Sequence, residues 1–152
     1  MELDHIIPPP VAFYFNVHFI GSLSIMDMAF MEVSGLTTEM DMEEIEEGGG
    51  VKRKVPTRMK HGNLVCKRPM KPIAMSGLSM WTASCMEGDF SVPIPTCEVV
   101  ITLLQAPGIP QCGWTLTDAY PVKWDIAPFD SKKNEVAIET IEFAYNMIQR
   151  IM

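Results

Sequence analysis

EMDMEEIEEGGGVKRKVPTRMKHGNLVCKRPMK, residues 39–71, separates its charges. Six acids come first: Glu39, Asp41, Glu43, Glu44, Glu46 and Glu47. Gly48, Gly49 and Gly50 follow. Eight of the chain's twelve bases come next: Lys52, Arg53, Lys54, Arg58, Lys60, Lys67, Arg68 and Lys71. No acid interrupts them. Charges sorted this cleanly predict two complementary surfaces, meeting within one fold or between one copy and the next.

Working outward, Thr38 to Glu43 alternates. A strand there lines Glu39, Asp41 and Glu43 on one face and Met40 and Met42 on the other. The glycines permit unusual backbone angles, so an extended loop is expected over about 44–60. Gly62-Asn63 suits a turn, and Leu64 to Lys67 a strand ended by Pro69 and Pro72. Upstream, Val11 to Phe19 alternates, with Phe13, Phe15, Val17 and Phe19 on one face and His18 on the other. Ala29 to Val33 reads as a short strand broken at Ser34-Gly35. Residues 1–10 form an arm, because Pro8 to Pro10 bar a helix.

Downstream, Ser76 to Met86 is the best short helix, capped by Ser76 and closed by Gly88. Leu78, Trp81 and Cys85 share one side of it. Val99 to Leu104 is a strand, and Ala106-Pro107-Gly108 a turn. Gly113 to Ala119 is a strand with Trp114 and Leu116 inward, continued by Pro121 to Trp124 after a break. From Glu135 onward the residues divide. The spacing of Ile138, Ile141, Tyr145 and Ile148 fits a helical stripe. The residue types Val136, Ile138, Thr140, Ile141 and Phe143 suit a strand. The whole predicts a mainly β fold: an antiparallel β-barrel or sandwich with one short α-helix.

The length of 152 residues predicts one domain over 11–152 behind the arm. The net charge of −7, with an acidic block beside the basic one, argues against nucleic acid as the main partner. MELDHIIPPP lacks the basic and apolar regions of a secretory signal, and no apolar run nears the ~20 residues of a membrane span. Synthesis and assembly in the cytoplasm are expected, without stable membrane insertion of a monomer.

Catalytic constellations are absent from the pattern. His5, His18 and His61 are scattered, and Cys66, Cys85, Cys97 and Cys112 make no C-x-x-C. The cysteines read as buried, reduced thiols. Gly48 to Gly50 precede Lys52 without the spacing of a phosphate loop, and the acids lack that of an EF-hand. No catalytic, metal or cofactor residue is assigned, and no enzyme activity is expected. A β-rich chain with sorted charges reads as one built to touch other proteins. A small β-barrel binding a ligand or peptide is the alternative of another class.

A set of motifs adds to this reading: FMEVSGL at 30–36, EEGGG at 46–50, Pro56 and HGNLVCKRP at 61–69. A Trp-containing helix around Trp81 follows, then Trp114-Thr115-Leu116, AYPVKW at 119–124 and EVAIETIEF at 135–143. In order and spacing this resembles the tail-tube proteins of contractile phages and phage-tail-like contractile injection systems, type VI secretion-like tubes included. The resemblance implies hexameric rings that stack into a hollow tube inside a contractile sheath. It implies a final strand at EVAIETIEF, which decides that segment. It implies as partners further copies, sheath, baseplate or spike and tube-terminating proteins, with cargo or DNA in the lumen bound without sequence specificity. It places the chain in an injection particle or virion, delivered across the envelope on firing. Pro69 stands where the family usually has glycine, and MKPIAMSGLSM at 70–80 departs from its helix lead-in. A baseplate-proximal ring joining spike to tube is therefore the alternative within the family.

On this reading the interface between subunits or rings draws on Glu43, Glu44, Glu46, Glu47, Gly48, Gly49, Gly50, Lys52, Arg53, Lys54 and Arg58. Glu39 and Asp41 are candidates for the lumen wall, where like charge would repel acidic cargo.

Overall fold

The structure is a computed structural model and describes residues 15–21, 30–88, 93–106, 108–133 and 135–152. The arm at 1–10, and Phe13 and Ala29 of two expected strands, lie outside these residues. Nine strands and one α-helix are described: β1 Phe15–Gly21, β2 Glu32–Ser34, β3 Thr38–Glu47, β4 Val51–His61, β5 Leu64–Pro69, α1 Gly77–Glu87, β6 Cys97–Ala106, β7 Ile109–Ile126, β8 Ile138–Ala144 and β9 Met147–Arg150. All pairings are antiparallel.

The main sheet runs β1-β6-β7-β8-β5-β2, with β9 also on β7. Alternation builds its buried face. Val17 and Phe19 point inward from β1, Leu64, Cys66 and Arg68 from β5, and Glu139, Ile141 and Phe143 from β8. Helix α1 covers that face with Leu78, Trp81 and Cys85. The Trp81 and Phe143 rings stack with centroids 5.8 Å apart, and Phe19 lies 5.3 Å from Phe143. Burying an apolar side chain of this size contributes about 1.5–3 kcal/mol. Ser76 caps the helix, its hydroxyl accepting from Ser79 N at 3.1 Å.

The C-terminal segment is strand. Its helical spacing loses because β7 and β5 flank β8 on both edges, and only a strand puts both Ile141 and Phe143 into the core. β8 and β9 run consecutively along β7, β8 against Tyr120 to Ile126 and β9 against Trp114 to Thr117. Between them Asn146 N donates to Thr117 O at 2.9 Å, opposite Asp118 at φ 54°. The break expected before Pro121 is this irregularity inside one long strand.

The extended loop expected over 44–60 is a correction. Those residues are strand except for the turn Gly48–Gly50, where Gly49 and Gly50 take φ 95° and 79°. The glycines supply the left-handed angles of a tight hairpin, and β3 and β4 pair along their whole length. This pair forms a separate two-stranded sheet.

Candidate functional site

The β3–β4 ribbon is the outstanding feature of the surface. Ten residues of strand extend about 34 Å. Among the described residues, neither strand packs extensively on any element but the other. The ribbon is anchored at its root. The His61 ring stacks on Tyr145 with centroids 4.1 Å apart, and Gly62 N donates to Thr37 O at 3.3 Å.

The register matches the two charge blocks. Glu39 lies opposite Lys60, Asp41 opposite Arg58, Glu44 opposite Lys54 and Glu46 opposite Lys52. Of the two arrangements that sorted charge allowed, the blocks thus meet within one chain. Arg58 Nε donates to Asp41 Oδ2 at 2.8 Å, Lys60 Nζ lies 3.0 Å from Asp41 Oδ1, and Arg53 Nη1 lies 3.0 Å from Glu47 Oε1. Lys60 also reaches Glu39 at 3.7 Å. Hydrogen bonds from Arg58 and Lys60 hold the Asp41 carboxyl below the usual carboxylate value, and the bond to Asp41 raises Lys60. Among the described residues, Glu43, Glu44, Glu46, Lys52 and Lys54 form no ion pair within the chain.

The ribbon also exposes apolar side chains: Met40, Met42, Ile45, Val51 and Met59. An isolated hairpin is marginal in water, and apolar surface of this kind marks a contact site.

One base belongs elsewhere. Arg68, placed with the charged block in the sequence, is 1% exposed and sits on the core face of β5. Its Nε donates to Glu139 Oε1 at 2.6 Å, and its Nη2 donates to Ser76 Oγ at 2.7 Å and Ser79 Oγ at 2.8 Å. Trp124 Nε1 donates to Glu139 Oε2 at 3.0 Å. This cluster joins β5, β7, β8 and α1. The signal was Glu139 at an inward strand position between apolar neighbours, where a charge needs a partner.

No group of three or more His, Cys, Asp or Glu able to hold a metal occurs among the described residues. All four cysteines are buried, and burial pushes the Cys66 thiol up to about 12. A cavity of about 330 Å³ lies between β2 and the β1-β6-β7 face, lined by Phe15, Val33, Leu36, Ile101, Leu103 and Trp114. Its charged lining residue, Glu32, is 3.5 Å from Lys67. No described helix is long and apolar enough to cross a membrane.

The comparisons agree with this architecture. A search of curated proteins gives no match. A chain of the anti-feeding prophage (AFP) baseplate, 6-fold symmetrised, superposes with TM-score 0.83 at 28% identity, over 95% of this chain and 97% of that one. A chain of the PVC sheath-tube complex in the extended state, from an extracellular contractile injection system, gives 0.80 at 20% identity over 99% and 98%. One from the PVC sheath/tube terminator gives 0.80 at 21% over 97% and 99%. The family model for the T4-like virus tail tube protein gp19 matches residues 11–149. The chain belongs to the T4-like virus tail tube protein gp19 family, a family of structural tube subunits.

Proposed function

We propose that copies of this chain form hexameric rings that stack into the inner tube of a contractile particle. The family match over residues 11–149 carries this reading. Physical chemistry supports it. A ribbon exposed on both faces and sheet edges left unpaired among the described residues are aggregation hazards in a monomer, and ring closure and stacking cover them. The tube acts as a rigid conduit, pushed through an envelope when the sheath contracts. It turns over no substrate and needs no cofactor.

The partners are further copies, a sheath protein, baseplate or spike proteins and a terminator. Cargo or DNA passes the lumen without sequence-specific contact. The subunit is made and assembled in the cytoplasm and does not insert stably into a membrane on its own. The ribbon turn, Gly48 to Gly50, and the residues around it dock on neighbouring copies. Glu43, Glu44, Glu46, Lys52 and Lys54 bring unpaired charge to that contact, where networked pairs fix register more than they add affinity. Glu47, Arg53 and Arg58 enter it already paired within their own ribbon. Glu39 and Asp41, the lumen candidates, would show a wall of partly neutralised charge.

A second reading, a ring at the baseplate end of the tube, is favoured by the 28% identity to a chain of the AFP baseplate. A ligand-binding barrel has less support, because the cavity lacks the convergent polar groups of a binding site. Negative-stain microscopy of the purified protein tests the proposal. Rings with a central hole, stacking at high concentration, are expected; monomers at every concentration would refute it. Copy number separates the two tube readings: about six per particle for a baseplate ring, many multiples of six for the main tube.

A further inference from the structure

The ribbon changes its apolar side halfway along. Directly paired residues share a face. At the root, Met40 with Met59 and Met42 with Pro56 form one face, and Glu39 with Lys60 and Asp41 with Arg58 form the other. At the tip the faces exchange character. The methionine face continues as Glu44 with Lys54 and Glu46 with Lys52. The opposite face continues as Glu43 with Val55, Ile45 with Arg53 and Glu47 with Val51.

The cause on β4 is one residue. The register shifts between Asp41 and Met42, leaving Thr57 as an extra residue whose Oγ1 donates to Asp41 O at 3.1 Å. Strict alternation from Met59 would put Val55 and Val51 on the methionine face. The bulge moves them to the opposite face and brings Lys54 and Lys52 over in exchange. Pro56, which has no N–H to donate, is accommodated beside this bulge.

We propose that each ribbon is covered by two different copies of this chain, one on the methionine face near the root and one on the Ile45, Val51 and Val55 face near the tip. This rests on the tube reading above. Two apolar patches on opposite faces, at opposite ends, need two covers. Copies of this chain fit as those covers by charge. Six acids against five bases leave the ribbon at about −1, which suits neither a polyanion nor an anionic membrane. It suits a surface carrying both signs, as another ribbon does. The root cover lies beside the subunit body and belongs to the neighbour in the same ring. The tip, about 30 Å out, reaches the next ring.

Two paired variants test this by electron microscopy and sedimentation: Met40→Thr with Met59→Thr, and Ile45→Thr with Val51→Thr. Threonine keeps β-propensity and removes the apolar contact. Neither pair lies in the core, so near-ultraviolet circular dichroism should match the parent chain. The root pair should lower ring yield about tenfold or more, and the tip pair should leave rings that fail to stack. Deleting Thr57 should behave like the tip pair. The proposal is overturned if both pairs stall at the same species, or if either gives tubes of normal length. A parent chain that never leaves the monomer would instead refute the tube reading, and this inference with it.

Discussion

Arg68 and Lys67 are adjacent bases with opposite energetic roles, and replacing each by methionine separates them. Arg68 is 1% exposed and donates to Glu139, Ser76 and Ser79. Without it, Glu139 keeps Trp124 Nε1 at 3.0 Å as its described side-chain donor, and its charge stays buried. Removing one partner of a buried pair costs about 3–5 kcal/mol. In a chain of this size about 2–4 °C is lost per kcal/mol, so Arg68→Met should lower the melting temperature by roughly 6–20 °C. Lys67 is half exposed and lies 3.5 Å from Glu32. Its replacement should cost less than about 0.5 kcal/mol.

The double variant Arg68→Met with Glu139→Leu sharpens the test. It removes both charges and leaves Trp124 Nε1 as an orphaned donor, for about 1–3 kcal/mol. The double change should therefore cost no more than Arg68→Met alone. Urea unfolding of the dissociated subunit, followed by tryptophan fluorescence, measures all three. A loss below about 1 kcal/mol for Arg68→Met, or full additivity in the double variant, would refute the reasoning.

Two further results are expected. Gly35 sits at φ +90° with an added Cβ only 2.0 Å from the backbone oxygen of Asn63, so Gly35→Ala should destabilise the subunit by about 1–3 kcal/mol; an unchanged urea midpoint would contradict this. Asp41 is held below its ordinary 3.8 and Lys60 above its ordinary 10.5. The Asp41 contribution is present above 3.8 and fades as pH falls through its lowered value. The Lys60 contribution is present below 10.5 and fades as pH rises through its raised value. An NMR titration should place the Asp41 midpoint below 3.8 and return it toward 3.8 in Arg58→Ala; an Asp41 midpoint at or above 3.8 in the parent chain would contradict the pairing.

The sequence made the local rules legible. Alternation found β1, Ser76 found the helix start, and the apolar side of α1 was right at Leu78, Trp81 and Cys85. It failed where tertiary context outweighs local pattern. Helical spacing after Glu135 gives way because two neighbouring strands bind both edges of β8. Arg68 looked like part of a charged surface because a base in a row of bases carries no sign of burial. Its partner, Glu139, is 71 positions away.

The ribbon shows the same limit most clearly. Charge sorting was visible, and so was the alternation of β3. The hairpin was not, because three glycines after six acids read as a loop when the opposing strand is unknown. Pairing supplies what a single strand lacks. Each acid in a row is tolerable once a base stands opposite, so the row that looked like a bare negative wall is largely neutral at its root. The same pairing leaves Met40, Met59, Ile45 and Val51 exposed. Sorted charge therefore closes the ribbon on itself, and in the proposed assembly the apolar residues between the charges are where another copy docks. Thr57 decides on which face Val51 and Val55 lie, and no pattern in β4 alone could reveal that, because a bulge exists only relative to a partner strand.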